Sequence, residues 1–320
     1  MPLRDSVALV TGGAGAVGAV LVRRLLADGA TVHAIVRPET DRWRIAELAG
    51  RLVMHEADLT DTVAVEQTVR GVNPDVVFHL ARHRGNPAAI DYRAAYDHNV
   101  HATLNLLEAA EKTSVKRFVH IGSSLEYDLT RSPLVESDAP APRTVHGVTK
   151  AAASLLAQHF ARVRGVPVVV LRLFTVYGPW EAPGRFVPQI MLAALDGTPV
   201  RLTADPSLAH DWIHVDDVVE ACVRGATVDG ISGEVINAAT GRESTNREVL
   251  ETVERLIGRP IPRHGESFPS RPWDTGHWVG DVGKARKLLG WQAEMDLTKG
   301  LARTLEWFRT HGTLYRERVS

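Results

Sequence analysis

Three glycines near the N-terminus have the spacing of a diphosphate cradle. In Thr11-Gly-Gly-Ala-Gly-Ala-Val-Gly18 they stand at 12, 15 and 18. Gly12 permits a tight turn out of a strand, Gly15 lets the backbone approach a pyrophosphate, and Gly18 lets the following helix pack close to a sheet. The helix N-terminus offers unpaired N–H groups and a partial positive charge to the phosphates. The end of the next β-rich run, Val36-Arg-Pro38, is where an adenosine ribose is read. An acidic residue there favours NAD, whereas a guanidinium such as Arg37 suits a 2′-phosphate through paired charge-assisted hydrogen bonds. NADP is therefore the expected cofactor. NAD is the alternative, with Arg37 solvated and Glu39 or Asp41 on the ribose. Asp58 has two readings, an acceptor for the adenine amino group or a cap for a helix starting near Thr62.

The elements that must carry these residues alternate along the first half. Ser6–Thr11 reads as a buried strand, 19–27 as a helix stopped by Gly29, and 31–36 as a second strand. Further strands are expected at 52–57, 75–81, 117–121 and 168–173, and helices at 62–69, 92–112 and 145–162. In the long helix 92–112, Ala95, Asn99, Ala102, Leu106 and Ala109 recur on one face. The strands are continuous apolar runs, as in sheets covered on both faces, so the fold class is α/β, a Rossmann-type doubly wound parallel sheet. After Gly178-Pro179, short elements alternate with Pro and Gly, and helices are expected at 215–224, 247–257, 282–289 and 297–310 with a strand at 234–239. The expected organisation is a dinucleotide-binding domain over 1–175, to which 211–240 returns. A smaller C-terminal substrate lobe takes 176–210 and 241–320.

The 320 residues carry a formal net charge of −1. Nothing in that balance draws the chain to nucleic acid or an anionic membrane. The single cysteine, Cys222, excludes an intramolecular disulfide, lies in an apolar pattern and reads as a small buried hydrophobe. No apolar run has membrane-spanning length. The first strand leaves no room for a signal peptide, and the expected location is cytoplasmic. Of the 14 histidines, the pairs His79/His83 and His98/His101 lack a partner at metal-ligand spacing, so no metal is expected.

The residues resemble the extended short-chain dehydrogenase/reductase superfamily, in its nucleotide-sugar epimerase, dehydratase and ketoreductase branch. The motifs that carry the resemblance run in order along nearly the whole chain. They are the glycine turn, Asp58-Leu59, Pro74-Asp-Val-Val-Phe-His-Leu-Ala81, Asn99-Val with Asn105-Leu-Leu-Glu-Ala-Ala110, and Gly122-Ser-Ser-Leu-Glu-Tyr127. Tyr177-Gly-Pro179, His214-Val-Asp-Asp-Val218, Arg271-Pro272 with Asp281, Lys284-Ala285, and Leu289-Gly-Trp291 follow. The resemblance implies cofactor contacts at Gly12, Gly15, Ala16, Val17, Gly18, Arg37, Asp58, Leu59, Leu80, Ala81, Asn99 and Lys150. It implies substrate contacts at Ser124, Tyr127, Thr175, Tyr177 and Arg271. It also implies a homodimer through the 92–112 and 145–162 helices, with Leu106, Leu107, Leu155, Phe160 and Val163 as candidate apolar surface.

The family's catalytic set is a Ser or Thr, a Tyr, and a Lys four residues after the Tyr. By resemblance Ser123 hydrogen-bonds the reacting sugar oxygen. Lys150 holds the nicotinamide ribose and lowers the acid/base group's pKa through its charge. The tyrosine position holds His146. Three readings follow: His146 is the acid/base, directly or through a water; Tyr127 or Tyr177 does that work; or redox chemistry has been lost and the chain is a dinucleotide-dependent binding or regulatory protein. The Asp-Glu pair of the branch's dehydratases is replaced by Ser124 and Leu125, with Glu126 displaced by one position, which disfavours elimination. Thr175 and His210 replace an asparagine and an arginine that touch the nucleotide diphosphate. Arg271 is retained as a pyrophosphate ligand or, alternatively, a surface ion pair. Trp273 and Trp278 either stack on a base or sugar or pack the lobe. The expected reaction is NADP-dependent reduction of a 4-keto sugar on a nucleotide, with NAD-dependent 4-epimerisation as the alternative.

Overall fold

The computed structural model describes residues 3–83, 91–128, 132–201, 207–264 and 277–319. The strands are β1 (Val7–Thr11), β2 (Thr31–Val36), β3 (Val53–Glu56), β4 (Val76–His79), β5 (Arg117–Ser123), β6 (Val168–Leu173), β7 (Thr175–Tyr177), β8 (Ala209–His210), β9 (Trp212–His214), β10 (Val235–Ala238) and β11 (Ser244–Thr245). Seven form one parallel sheet in the order β10-β6-β5-β4-β1-β2-β3. Strand order reverses between β1 and β4, and the crevice beyond the carboxyl ends of those two strands is where such sheets take a ligand. Short β7 pairs in parallel with β9, and β8 with β11 antiparallel.

The helices are α1 (Ala16–Ala27), α2 (Thr62–Val72), α3 (Tyr92–Tyr96), α4 (Ala102–Glu111), α5 (Val145–His159), α6 (Phe186–Asp196), α7 (Val215–Thr227), α8 (Asn246–Ile257), α9 (Gly283–Leu289), α10 (Leu297–His311) and α11 (Thr313–Val319). One face of the sheet is covered by Leu21, Val22 and Leu25 of α1, Val218 and Cys222 of α7 and Leu289 of α9. The other is covered by Val65 and Val69 of α2, Leu106 and Leu107 of α4 and Ala157 of α5. Two-sided burial is why β1, β4 and β6 are apolar at nearly every position. Burial pushes the Cys222 thiol up to about 12, consistent with a packing residue. A third core joins α6, α8 and α10 through Ile190, Met191, Val249, Val253, Leu301 and Phe308. Among the described residues, no helix is long and apolar enough to cross a membrane.

Two departures from the sequence reading bear on the site. The single helix expected over 92–112 is interrupted by a π-helical turn, Asp97–His101. The Thr103 hydroxyl, in the first turn of α4, donates to the Asn99 carbonyl of this turn at 2.6 Å, a side-chain competitor for the backbone acceptor. Such turns concentrate at functional sites. Helix α6 was not expected from its Pro- and Gly-rich surroundings. Pro188 sits in its first turn, where a missing N–H costs nothing, and Gly197 ends it at φ +70°.

Candidate active site

The glycine turn joins β1 to α1 at the switch point. Gly12 has φ +73°, and a Cβ on it would lie 2.6 Å from the Ala81 nitrogen and 2.7 Å from the Leu80 carbonyl carbon. That contact sets Leu80 and Ala81, at the end of β4, against the turn. A Cβ on Gly18 would lie 2.2 Å from the Gly12 oxygen. Gly15 caps α1 without a side-chain hydrogen bond, and no acidic residue stands in the first turn. The N–H groups at Ala16, Val17 and Gly18 therefore open a helix end suited to a diphosphate. Gly18→Ala is expected to destabilise the fold by about 3 kcal/mol, the upper part of the range for overpacking, because its clash is with backbone. Chemical denaturation with and without dinucleotide checks this, and the variant should gain little from added ligand.

At the end of β2, Arg37 does not stand free: its Nε pairs with Glu39 at 3.1 Å. Asp58 is not the cap of α2. Asp61 is, accepting from the Val63 and Ala64 N–H groups at 3.0 Å. Asp58 instead accepts from the Thr60 N–H and hydroxyl, both at 2.8 Å. Burial opposes its ionisation, but those bonds and the charges of His98 and Arg37 outweigh burial and hold the carboxyl below its ordinary range. The carbonyl of Leu59 is held by Asn105 Nδ2 at 2.9 Å.

A buried polar chain runs from the glycine turn to the helix that carries the lysine. Thr11 Oγ1 lies 2.7 Å from His79 Nδ1, and His79 Nε2 lies 2.9 Å from Thr103 Oγ1. Thr103 bonds the Asn99 carbonyl, and Asn99 Nδ2 donates to Thr149 Oγ1 at 2.8 Å. Asn99 Oδ1 accepts from the His83 N–H at 2.7 Å. Asn99 is 1% exposed with both ends of its amide engaged, so it serves the framework of the cradle rather than an open ligand position. Both nitrogens of His79 are likewise engaged, and burial, aided by Lys150, holds its pKa down to about 3. Sequence reasoning missed Thr11, Thr103 and Thr149 as members of this chain. Their one signal was polarity inside otherwise apolar runs.

Ser123 ends β5 and caps the short turn Ser124–Glu126, its Oγ accepting from the Leu125 N–H at 3.2 Å. Its own O–H is left to donate to a ligand. Helix α5 packs against this turn, capped by Thr144 through the Gly147 N–H at 2.9 Å. Gly147 makes the approach possible, since a Cβ there would lie 2.2 Å from the Leu125 oxygen. His146 and Lys150 lie one helical turn apart on α5. Burial lowers the Lys150 pKa to about 8, with Glu126 opposing the shift and Arg82 adding to it. Burial, then Arg82, Lys150 and His83, lower that of His146 to about 3. At neutral pH His146 is a neutral imidazole beside a charged ammonium. His83 stacks on His98, centroids 6.0 Å apart, at the rim.

Two tyrosines expected near the substrate lie elsewhere. Tyr127 is fully buried, donates to Asn237 Oδ1 at 2.7 Å, and carries the Arg172 guanidinium 4.3 Å over its ring. Burial pushes its phenol up to about 12. Tyr177 is 1% exposed and packs against the edge of His214, and a Cβ on Gly300 would strike its hydroxyl. Neither phenol is presented to a ligand. Ser124 is buried beneath the turn. Thr175 is partly exposed at the start of β7, its N–H bonded to the Asp211 carbonyl at 3.0 Å. His210 packs between Trp212 and Trp278. Arg271 and Trp273 lie outside the described residues.

Residues 8–239 match the family described as NAD dependent epimerase/dehydratase. A UDP-glucuronate 4-epimerase of Thermodesulfobacterium geofontis is 29% identical over 93% of this chain and 95% of its own. A dTDP-glucose 4,6-dehydratase of Neisseria meningitidis is 28% identical over 96% and 94%. Among solved structures, MoeE5 in complex with UDP-glucuronic acid and NAD superposes with a TM-score of 0.83 at 35% identity, covering 95% of this chain and 99% of that one. The UDP-glucose 4-epimerase of Thermotoga maritima, with UDP-glucose, superposes at 0.87 with 28% identity, covering 96% and 99%. The chain belongs to the NAD dependent epimerase/dehydratase family and is an enzyme of the extended short-chain dehydrogenase/reductase type.

Proposed function

We propose that this enzyme is an NAD-dependent 4-epimerase acting on a UDP-linked hexose or hexuronate. The observation that carries the reading is the packing of α5, the helix of His146 and Lys150, against the turn that Ser123 caps, where the one carboxylate of that turn, Glu126, is already engaged. Elimination of water would need an acid pair following Ser123. Ser124 and Leu125 stand there, and the carboxylate of Glu126 is 0% exposed and fully engaged from below. Proton transfer at one sugar hydroxyl, paired with hydride transfer at its carbon, is the chemistry that remains.

The cradle fits a dinucleotide: an uncapped helix end, and glycines at which a Cβ would strike backbone. Bound NAD would supply a two-electron hydride acceptor. Gly15, Ala16, Val17 and Gly18 would hold its diphosphate, Leu80 and Ala81 would line its path, and Lys150 would hold the nicotinamide ribose. The expectation of NADP and a ketoreductase gives way to NAD. Arg37 is engaged by Glu39 and stands near the ionised Asp58, and a 2′-phosphate would have to displace the first and tolerate the second. MoeE5 and the UDP-glucuronic acid 4-epimerase of Bacillus cereus were each solved with NAD. Ser123 donates to the reacting oxygen and His146 takes its proton, then returns it after the sugar has turned. Denaturing the purified protein and identifying the released dinucleotide tests this. NAD is expected, with at least ten-fold tighter rebinding than NADP; NADPH as the preferred ligand of emptied protein would favour a reductase instead.

We also propose a homodimer through α3 and α5. The surface that supports it differs from the candidate residues. Leu106, Leu107 and Phe160 are buried in the monomer, whereas Tyr92, Tyr96, Val148, Leu155 and Val163 are 50–68% exposed on those two helices and the π-helical turn that follows α5. Sedimentation should give a dimer, and Leu155→Arg should give a monomer with the same melting profile at high dilution.

A further inference from the structure

Beneath Ser123 lies a buried ion pair that the proposed reaction does not use. Glu126 Oε1 accepts from the Ser123 N–H at 2.7 Å and from Ser154 Oγ at 3.0 Å, and its Oε2 accepts from Arg172 Nε at 2.8 Å. One carboxylate thus joins the end of β5, the helix α5 one turn beyond Lys150, and strand β6. The side chains of Glu126 and Arg172 are 0% and 3% exposed. A Cβ on Gly122 would stand 2.6 Å from Glu126 Oε1, so the glycine before Ser123 makes room for this anion.

We propose that Glu126 is a positioning residue that acts through its negative charge: it keeps Lys150 in the ammonium form while fixing the backbone of Ser123. The proposal rests on the role given to Lys150 above. Lys150 is 4% exposed, in a place that works against its charge. The charged and titratable groups facing it come from several elements. They are Glu126 in the turn after β5, Arg82 beyond β4, His79 on β4, His120 on β5 and His146 on α5. Burial holds His79, His120 and His146 neutral, and Arg82 repels. Among these described groups Glu126 is the carboxylate, so it alone favours the ammonium. Arg172 holds Oε2, whereas the Ser123 N–H and Ser154 of the lysine's own helix hold Oε1, and its guanidinium lies over the Tyr127 ring.

The sign follows. The ammonium of Lys150 is present below its pKa and lost as pH rises through about 8; without Glu126 that loss moves to lower pH. The chain has six lysines, of which Lys150 is buried and Lys112 and Lys116 are exposed references. Competitive acetylation of the whole, unloaded protein across pH, read peptide by peptide by mass spectrometry, gives the midpoint for Lys150. Glu126→Gln keeps the shape and hydrogen-bonding reach but removes the charge. It should move the midpoint down by about one unit, which is about five-fold higher Lys150 reactivity at pH 7, with Lys112 unchanged. Glu126→Asp should restore most of the wild-type midpoint. Because Glu126→Gln leaves a buried arginine unpaired, the double variant with Arg172→Gln is measured beside it, and the same downward shift is expected. An unmoved midpoint in either folded variant overturns the proposal. Failure of the wild-type protein to bind NAD would refute the role given to Lys150 towards the cofactor, and the acetylation midpoints would still decide whether Glu126 governs its charge.

Discussion

His146→Phe is expected to lower kcat/KM for a UDP-sugar by about 10²- to 10⁴-fold, the usual worth of a positioned acid/base, while NAD binding changes little. The size follows from the role: the ring would take the hydroxyl proton as the carbon–hydrogen bond breaks and give it back in the second half-reaction. Burial, Arg82, Lys150 and His83 place its pKa at about 3, so the proton-accepting form is fully present across the neutral range. A base this weak does not deprotonate an alcohol in advance. Proton transfer must accompany hydride departure, and a deuterium effect from the sugar carbon should combine with one from solvent. His146→Tyr sharpens the test. A phenol works as a base only when ionised, so that variant should acquire a rate that rises with pH, where the wild-type profile is flat from about pH 5 to pH 7. A phenylalanine variant as active as wild type would remove His146 from the chemistry.

Lys150→Met carries the second large effect. Loss of the ammonium removes a ribose ligand and the charge beside the proton-transfer site, and both kcat and NAD affinity should fall, with kcat/KM down by at least about 10³-fold. The same residue sets the alkaline limb. Its pKa is lowered to about 8, so activity should be complete below pH 7 and decline as pH rises through about 8. In Lys150→Arg, whose guanidinium stays charged, the residual activity should persist through pH 9. Rate–pH profiles of the three proteins, with NAD saturation checked at each pH, test this.

The parts of the site that were legible in the sequence are those whose physics is local. Glycines at 12, 15 and 18 declare a close turn, and the structure shows the backbone that a side chain at Gly12 or Gly18 would strike. The apolar runs of β1, β4 and β6 declare two-sided burial. What could not be read depends on residues far apart in the chain. Tyr127 and Tyr177 look like hydroxyls available to a ligand until Asn237, Arg172 and Gly300 are seen to enclose them. Asp58 and Asp61 are equally plausible caps by type, and only the bonds from Val63 and Ala64 decide between them. Arg37 reads as a phosphate ligand until Glu39 is found on its Nε. Gly147 gave no signal at all, although it lets α5 press against the Ser123 turn. The π-helical turn at 97–101, which brings Asn99 to Thr149, interrupts a pattern that looks continuous in the sequence.

In the proposed reaction one sugar hydroxyl is oxidised and reduced at the same carbon with the hydride kept inside the protein. The direct test is to incubate the enzyme, without added reductant, with UDP-glucuronate and separately with UDP-glucose in deuterated water, and to follow the sugar by proton NMR. A 4-epimerase gives the C4 epimer of at least one of them, with no deuterium at C4 and no net change in free dinucleotide. A 6-deoxy-4-keto product, deuterium incorporated at C4, or turnover that stops unless NADPH is supplied would contradict it.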